Sequence, residues 1–494
     1  MMHGEHLQGY YQDPAVAQQW FAGPWQDSSQ WAQWPLQQWQ GDRQALAAIA
    51  SAAVKAAAGD RQAQAHATAL GRDNVIAVLA GQQPAYALGP LYNLLKAAHC
   101  IAIAEQLSQQ GHPAVPVFWC ASDDHDHDEA AGSWLIQGDG RLRSLRRSMS
   151  PQHCALHRVA AQPGWQALLE ALAQLPGSHL GKDWMQALHP HNDETLGAWM
   201  CRALSALSQG TGLVCIEAWR LRPLWQTGIQ RALEHWPQQA LLQRQQQLQA
   251  AGWPTPLGTL EQPPLFADTH HQRKALSPDE AHELWLKNPL SLSPGAALRP
   301  VLQQLALPAA IYCAGPGEIT YHAALGPLYA TMGAHAPRLI PRLSLGLIPP
   351  WVQRGLDAWG LHADALQPHL PLPQTNNDAS DDAILAIYHE AEARLASQAA
   401  VLDPQRHQRV ETARQQLRKL RHRLERSLQR AQRQRLRRPS IGSLREQLYP
   451  RGAAQDRTLS SSQALYQWGP GIFQDMLQQA RQHPLGGNQG WIYL

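Results

Sequence analysis

Short apolar runs alternate with longer mixed stretches along the first two thirds of the chain. Val75-Ile76-Ala77-Val78-Leu79-Ala80 ends at Gly81-Gln82-Gln83-Pro84 and reads as a buried strand closed by a turn. Gly89-Pro90 then precedes a helix expected over about 91–107, with proline in its first turn, where a missing N–H costs nothing. Ala114-Val115-Pro116-Val117-Phe118-Trp119-Cys120 is a second apolar run. Strand, loop, helix, strand is a βαβ unit, which requires a parallel pair. Further strands are expected at 213–217 and 309–314, and helices around 195–207 and 224–250. The Pro-rich interval from about 254 to 294 reads as part of an inserted element spanning about 221–295. The class is therefore α/β.

The pattern changes from about residue 381. No glycine interrupts 381–438, and Val410, Ala413, Leu417, Leu420, Leu424, Ser427 and Ala431 alternate by three and four residues as a heptad seam. A continuous helix from 404 to 438 would be roughly 50 Å long. Its single apolar stripe needs a partner helix, from the same chain or a second subunit. The expected division is 1–70 for a Trp/Gln-rich and Ala-rich extension and helix, 71–375 for the core, 376–440 for a coiled-coil arm, and 441–494 for a segment returning to the core.

Charge sharpens this division. The 494 residues carry 41 Lys and Arg against 38 Asp and Glu. Thirteen basic and two acidic side chains fall between Arg406 and Arg438, so the arm is near +11 and the rest of the chain near −8. A basic helix can bind nucleic acid, but here the basic residues surround a seam without aromatic interleaving, and a solvated coiled-coil exterior is the better reading. No apolar run approaches the roughly 20 residues that span a bilayer, and no basic-then-apolar leader opens the chain. Six cysteines without a Cys-x-x-Cys pair read as buried thiols of a reducing compartment, hence a cytoplasmic protein. Trp20, Trp25, Trp31, Trp34 and Trp39 have no strict helical spacing, and the start of the chain is expected to lie against the body of the protein.

Candidate chemistry collects at strand ends, where open α/β sheets bind ligands. After the first strand come Gly81, Gln82 and Gln83, with Gly89, Pro90, Tyr92 and Lys96 at the following helix start, an arrangement that favours an anion such as phosphate. An ordinary βα turn with a surface lysine is the alternative. After the second strand, Asp123-Asp124-His125-Asp126-His127-Asp128-Glu129 crowds carboxylates and imidazoles. Such crowding calls for a cation or a shared proton: a divalent metal, a substrate ammonium, or a general base with His125 tuned by its acidic neighbours. The ligands lack a zinc spacing, so no metal is assigned. After the third, Gly315 and Gly317 allow close backbone approach, with Glu318 and Tyr321 on the same rim. Arg299 adds a fixed positive charge for a carboxylate or phosphate.

These segments, in this order, resemble the bacillithiol-biosynthesis cysteine-adding enzyme family. The resemblance is carried by Gly81-Gln82-Gln83, Gly89-Pro90-Leu91-Tyr92 and Lys96; Pro116-Val117-Phe118-Trp119 with Asp124-His125-Asp126 and Glu129; Leu298-Arg299-Pro300; Gly315-Pro316-Gly317-Glu318 with Tyr321; and Leu448-Tyr449-Pro450-Arg451-Gly452 with Gln455-Asp456-Arg457. The chain departs from the family pattern at Ala80, Asp123 and Gly295-Ala296-Ala297, and the Trp-rich start has no counterpart in the pattern.

The resemblance implies a Rossmann-like core with connecting insertions and a helical coiled coil that dimerises the protein. It also implies a ligase joining cysteine to the amine of glucosaminyl-malate. Amide formation in water needs an activated acyl group, so ATP and a cysteinyl adenylate are expected, with the metal requirement open. On this reading Asp124, His125, Asp126 and Glu129 are catalytic. Gln82, Gln83, Gly89, Pro90, Tyr92, Lys96, Gly315 and Gly317 hold the nucleotide, and Arg299, Glu318 and Tyr321 meet substrate. The alternatives are an ATP-dependent ligase or nucleotidyl transferase with another substrate, and a non-enzymatic scaffold or RNA-binding protein using the basic helix.

Overall fold

A computed structural model describes residues 5–149, 153–372, 377–399, 403–436, 439–487 and 489–494. The chain forms two compact units: residues through Leu347 with Ala453–Ile492, and Ile348–Gly452 with the last two residues.

The first unit is built on a five-stranded sheet. In chain order its main elements are α1 (Arg43–Ala56), β1 (Ile76–Gln82), α2 (Tyr92–Gln109), β2 (Ala114–Cys120), α3 (Leu196–Leu207), β3 (Val214–Glu217), α4 (Arg299–Ala306), β4 (Ala309–Ala314), α5 (Pro316–His322) and β5 (Arg338–Pro341). The strands lie in the order β3-β2-β1-β4-β5. Every pairing is parallel, with β1 against β2 in register from Ile76↔Ala114 to Gln82↔Cys120. Strands buried on both faces need unbroken apolar runs rather than alternation, which is why β1, β2 and β4 stand out in the sequence. The central helix α2 is buried nearly all round and packs on β1 and β2. The order reverses between β1 and β4, the place where such sheets leave a crevice outside their carboxyl ends.

Several local expectations are revised. The helix expected over 224–250 is broken into Gln226–Glu234 and Gln238–Ala250, because Pro237 between them cannot continue a helix. The Pro-rich interval is not wholly irregular. It holds a small antiparallel sheet of Leu265–Asp268, Arg273–Ala275 and Leu292–Pro294, and the helix Pro278–Lys287 closed by a Ser277/Glu280 capping box. A hairpin of Gly132–Ile136 and Leu142–Arg146, and β5 itself, have no counterpart among the expected strands.

The Trp-rich start packs over the β5 edge. Tyr10 donates to the Leu339 carbonyl at 2.7 Å, Trp34 Nε1 to Ala336 O at 3.3 Å, and Trp39 Nε1 to Gln304 O at 2.8 Å. All six cysteines are free and buried. Among the described residues no helix is long and apolar enough to cross a membrane.

One buried contact makes stability pH-dependent. His99 of α2 accepts from the Leu343 N–H at Nδ1 (3.2 Å), which leaves Nε2 to donate to Pro484 O at 2.7 Å. Both contacts suit a neutral ring. Burial pushes the His99 pKa down to about 4, and Arg342 adds to the effect. The unfolded chain takes up this proton near pH 6.5, so His99 contributes fully to stability above that pH. The contribution is lost as pH falls from about 6.5 to 4, by roughly 3 kcal/mol in total. Urea unfolding at pH 7 and pH 4.5 should show a smaller acid loss in His99→Gln than in the unmodified protein. An identical loss in both would contradict this assignment.

The second unit contains a helical hairpin, α6 (Asn377–Ala399) and α7 (Pro404–Leu436). The partner of the basic helix is therefore a helix of the same chain. The half-buried stripe of α7 runs through Val410, Arg414, Leu417, Arg421 and Leu424, whereas Ala413, Leu420 and Ser427 of the expected seam are exposed. The side chain of Ala431 lies outside the described residues. The stripe is shifted because the stems of Arg414 and Arg421 pack inward while their guanidinium groups pair, Arg414 with Glu411 at 2.7 Å and Arg421 with Glu392 of α6 at 2.8 Å; the exposed Arg418 also pairs with Glu392.

Candidate functional site

The crevice at the strand-order reversal is a cavity of about 350 Å³. Its floor comes from the ends of β1 and β4, and its walls from the loops that follow.

The centre is a buried ion pair. Lys96, one turn into α2, points back under the end of β1 and donates to Gly81 O at 2.7 Å, Gln82 Oε1 at 3.0 Å and Glu318 Oε2 at 2.6 Å. Glu318 leaves the first turn of α5 and also accepts from the Gly315 N–H and the Tyr312 hydroxyl, each at 2.6 Å. Burial opposes its ionisation, but Lys96, Tyr312 and the Gly315 N–H outweigh burial and hold the Glu318 pKa below the ordinary carboxylate value. Burial lowers the Lys96 pKa, with Glu318 acting against that. This pair joins α2 to α5 across the sheet reversal.

The second wall is acidic. Asp124 accepts from Arg299 Nη2 at 2.9 Å and from the His125 backbone N–H at 2.7 Å. Burial works against its charge, but Arg299 and the other donors keep it far below the ordinary range. Glu129 stands exposed at the mouth and accepts from Gln82 Nε2 at 3.3 Å. Local desolvation, with Asp126 and Asp124 nearby, raises its pKa. Burial likewise raises the pKa of Tyr321, which stacks on His322.

The loop 123–125 is held residue by residue. Asp123 takes Arg222 at 2.6 Å, Asp124 takes Arg299, and His125 Nδ1 accepts from Arg273 Nη1 at 2.7 Å. An arginine always donates, so His125 Nδ1 carries a lone pair and its proton sits on Nε2. Much of the compensation that the acidic run demands thus comes from three internal guanidinium groups. Asp123, His157 and Asp268 bring ligand atoms within 4.8 Å of one another. Arg222 Nη2 bridges Asp123 and Asp268 at 2.6 and 2.7 Å, so a guanidinium already stands where a cation would.

The cavity brings together Gln82, Gln83, Tyr92, Lys96, Asp124, Glu129, Arg299, Gly315, Gly317, Glu318 and Tyr321. It does not include His125, Asp126, Gly89 or Pro90. His125 turns toward Phe266 of the inserted sheet, with ring centroids 5.5 Å apart. Asp126 caps the helix His127–Ala131 by accepting from Glu129 N at 2.9 Å. Gly89 and Pro90 serve the fold: Gly89 has φ +65°, Gly89 O accepts from Ser461 N, and Pro90 bridges Ser460. The neighbouring Leu91 N–H is taken by Leu459 O at 2.7 Å. At the start of α2, read from sequence as an anion site, the Leu91 N–H is therefore already taken by the chain itself.

Arg342, just past β5, and Arg457 also line the cavity. Arg457 lies in the Gln455-Asp456-Arg457 segment, but nothing local in the sequence places it at this site, and Arg342 stands alone in sequence with no motif around it.

A parallel sheet of this order, with a charged cavity at its reversal, defines a Rossmann-like ligand-binding enzyme domain. Residues 4–343 match the model described as "Bacillithiol biosynthesis BshC, N-terminal Rossmann-like domain", and residues 379–487 the corresponding "C-terminal coiled-coil domain". The chain belongs to the BshC family of bacillithiol biosynthesis. Because the match begins at residue 4, the Trp-rich start lies inside the family domain, contrary to the sequence reading. A protein of Symbiobacterium thermophilum named "Putative cysteine ligase BshC" is 29% identical over 92% of this chain and 89% of its own length. Proteins with the same name from Koribacter versatilis (27% identical, 81% and 80% covered) and Heliobacterium modesticaldum (29%, 59% and 58%) are also similar.

Proposed function

We propose that this chain is a ligase that joins the carboxyl group of cysteine to the amine of glucosaminyl-malate, giving bacillithiol. The observation that supports it most is the placement of the Glu129 carboxylate, with Asp124, in the lining of the switch-point cavity in a chain of this family. An amine attacks an acyl group only after losing its proton, and a carboxylate poised above its ordinary pKa can bind the ammonium form and accept that proton. Asp124, fixed as an anion by Arg299, holds the ammonium beside it. The Lys96–Glu318 pair keeps the floor of the cavity rigid, since all three Lys96 donors are already taken.

Activation of the cysteine carboxylate is assigned to ATP on chemical grounds: a free carboxylate and an amine do not condense in water without it. The backbone around Gly81–Gln83 and Gly315–Gly317 gives close approach for such a ligand. A coiled-coil homodimer is part of this reading, supported by exposed Ile384, Ile387 and Leu420 on the helical hairpin. The free thiols fit a cytoplasmic setting.

The test is turnover with purified protein, ATP and paired substrates. Cysteine with glucosaminyl-malate should give amide, and N-acetylated acceptor should give none. A product formed equally well from other amino acids would favour a related ligase of another substrate.

A further inference from the structure

We propose that Arg342 and Arg457 form a carboxylate subsite for the malyl end of the acceptor, with Arg457 setting that specificity. The inference rests on the ligase reading and adds which wall receives which end of the acceptor.

The cavity is electrically divided, and Tyr92 marks the division. Its hydroxyl accepts from Gln82 Nε2 at 3.4 Å, on the side where Gln82 also reaches Glu129. The guanidinium of Arg342 lies 5.0 Å from the centre of its ring. Arg342 is anchored: Nη1 donates to Asp456 Oδ2 at 2.5 Å and to Leu343 O at 3.0 Å. Its Nε and Nη2 have no protein partner among the described residues. A Cβ placed on Gly315 would meet Glu318 Oε2 at 3.1 Å and come within 3.9 Å of that Nε, so Gly315 forms the wall beside the guanidinium.

Arg457, next to the anchoring Asp456, lines the same cavity and is exposed; its backbone N–H donates to Ala454 O, but its guanidinium forms no hydrogen bond or ion pair among the described residues. An anchored guanidinium beside a free one is a donor pair suited to a carboxylate. Glucosaminyl-malate has the matching polarity, an amine at one end and two carboxylates at the other.

The test is calorimetric titration of the full-length protein with glucosaminyl-malate, methyl glucosaminide (no carboxylate) and ATP. Arg457→Gln should weaken glucosaminyl-malate binding at least tenfold, Arg457→Lys less, and neither should change binding of methyl glucosaminide or ATP. Arg457 is exposed, so both variants should keep the fold, which the unchanged ligands verify. The proposal is overturned if the unmodified protein does not bind glucosaminyl-malate, if both acceptors weaken equally, or if the loss falls on ATP. Turnover is read separately. Arg457-dependent binding without amide formation removes the ligase reading and leaves the subsite. Amide formation with the same acceptor KM in Arg457→Gln removes the subsite and leaves the ligase.

Discussion

Lys96→Met should destabilise the protein by about 3–5 kcal/mol and abolish turnover, a larger effect than any other single change at the site. The methionine fills the space of the lysine stem but leaves Glu318 without its cation. The lysine side chain is only 3% exposed and that of Glu318 19%, so water replaces little of the lost interaction. Gly81 O and Gln82 Oε1 lose a donor as well. With Lys96 gone, burial dominates and the Glu318 pKa moves up. The sign follows: the pair stabilises the fold above the carboxylate's unfolded pKa, and that contribution disappears as acid protonates Glu318. Adding Glu318→Gln to Lys96→Met removes the stranded charge and should restore part of the stability, but not turnover. Urea unfolding at pH 7 measures both. A Lys96→Met loss below about 1 kcal/mol would show that the pair does not hold the site together.

Glu129→Gln should reduce turnover by about 10²- to 10⁴-fold, the usual contribution of a positioned base. Glu129 is exposed at the cavity mouth, and glutamine keeps an oxygen for the Gln82 amide, so the unfolding midpoint should hardly move. The pH profile separates a base from a mere contact. In the unmodified enzyme the rate should rise with pH as Glu129 loses its proton, through a pKa above the ordinary carboxylate value, because desolvation and the neighbouring aspartates raise it. In Glu129→Gln that acidic limb should vanish. His125→Ala is the informative contrast. The sequence marks His125 as the base, but Arg273 occupies its Nδ1 and its ring faces Phe266 away from the cavity. Its loss should be far smaller than that of Glu129→Gln, and the reverse ranking would return the base to His125.

What could be read beforehand, and what could not, follows from how far each feature reaches along the chain. The buried strands β1, β2 and β4 are local: each is an apolar run closed by a glycine-bearing or acidic loop. The three loops therefore identify most of the cavity. Strand β5 is four residues long, follows Pro337 and ends in Pro341, so its composition reads as a turn until the sheet beside it exists. The tautomer of His125 depends on an arginine 148 residues away, and the anchor of Arg342 on an aspartate 114 residues away. No periodicity carries such information. The seam of α7 is offset for a similar reason: a heptad count rejects arginine, while the folded helix buries arginine stems against Glu392 and Glu411.

In the proposed reaction this cavity joins cysteine to glucosaminyl-malate as an amide while ATP is cleaved. The most direct measurement is mass-spectrometric detection of bacillithiol from purified protein with both substrates, with and without ATP. Product is expected only with ATP, in proportion to ATP consumed, and almost none from Glu129→Gln. No bacillithiol from folded protein supplied with all three, or equal product without ATP, would contradict it.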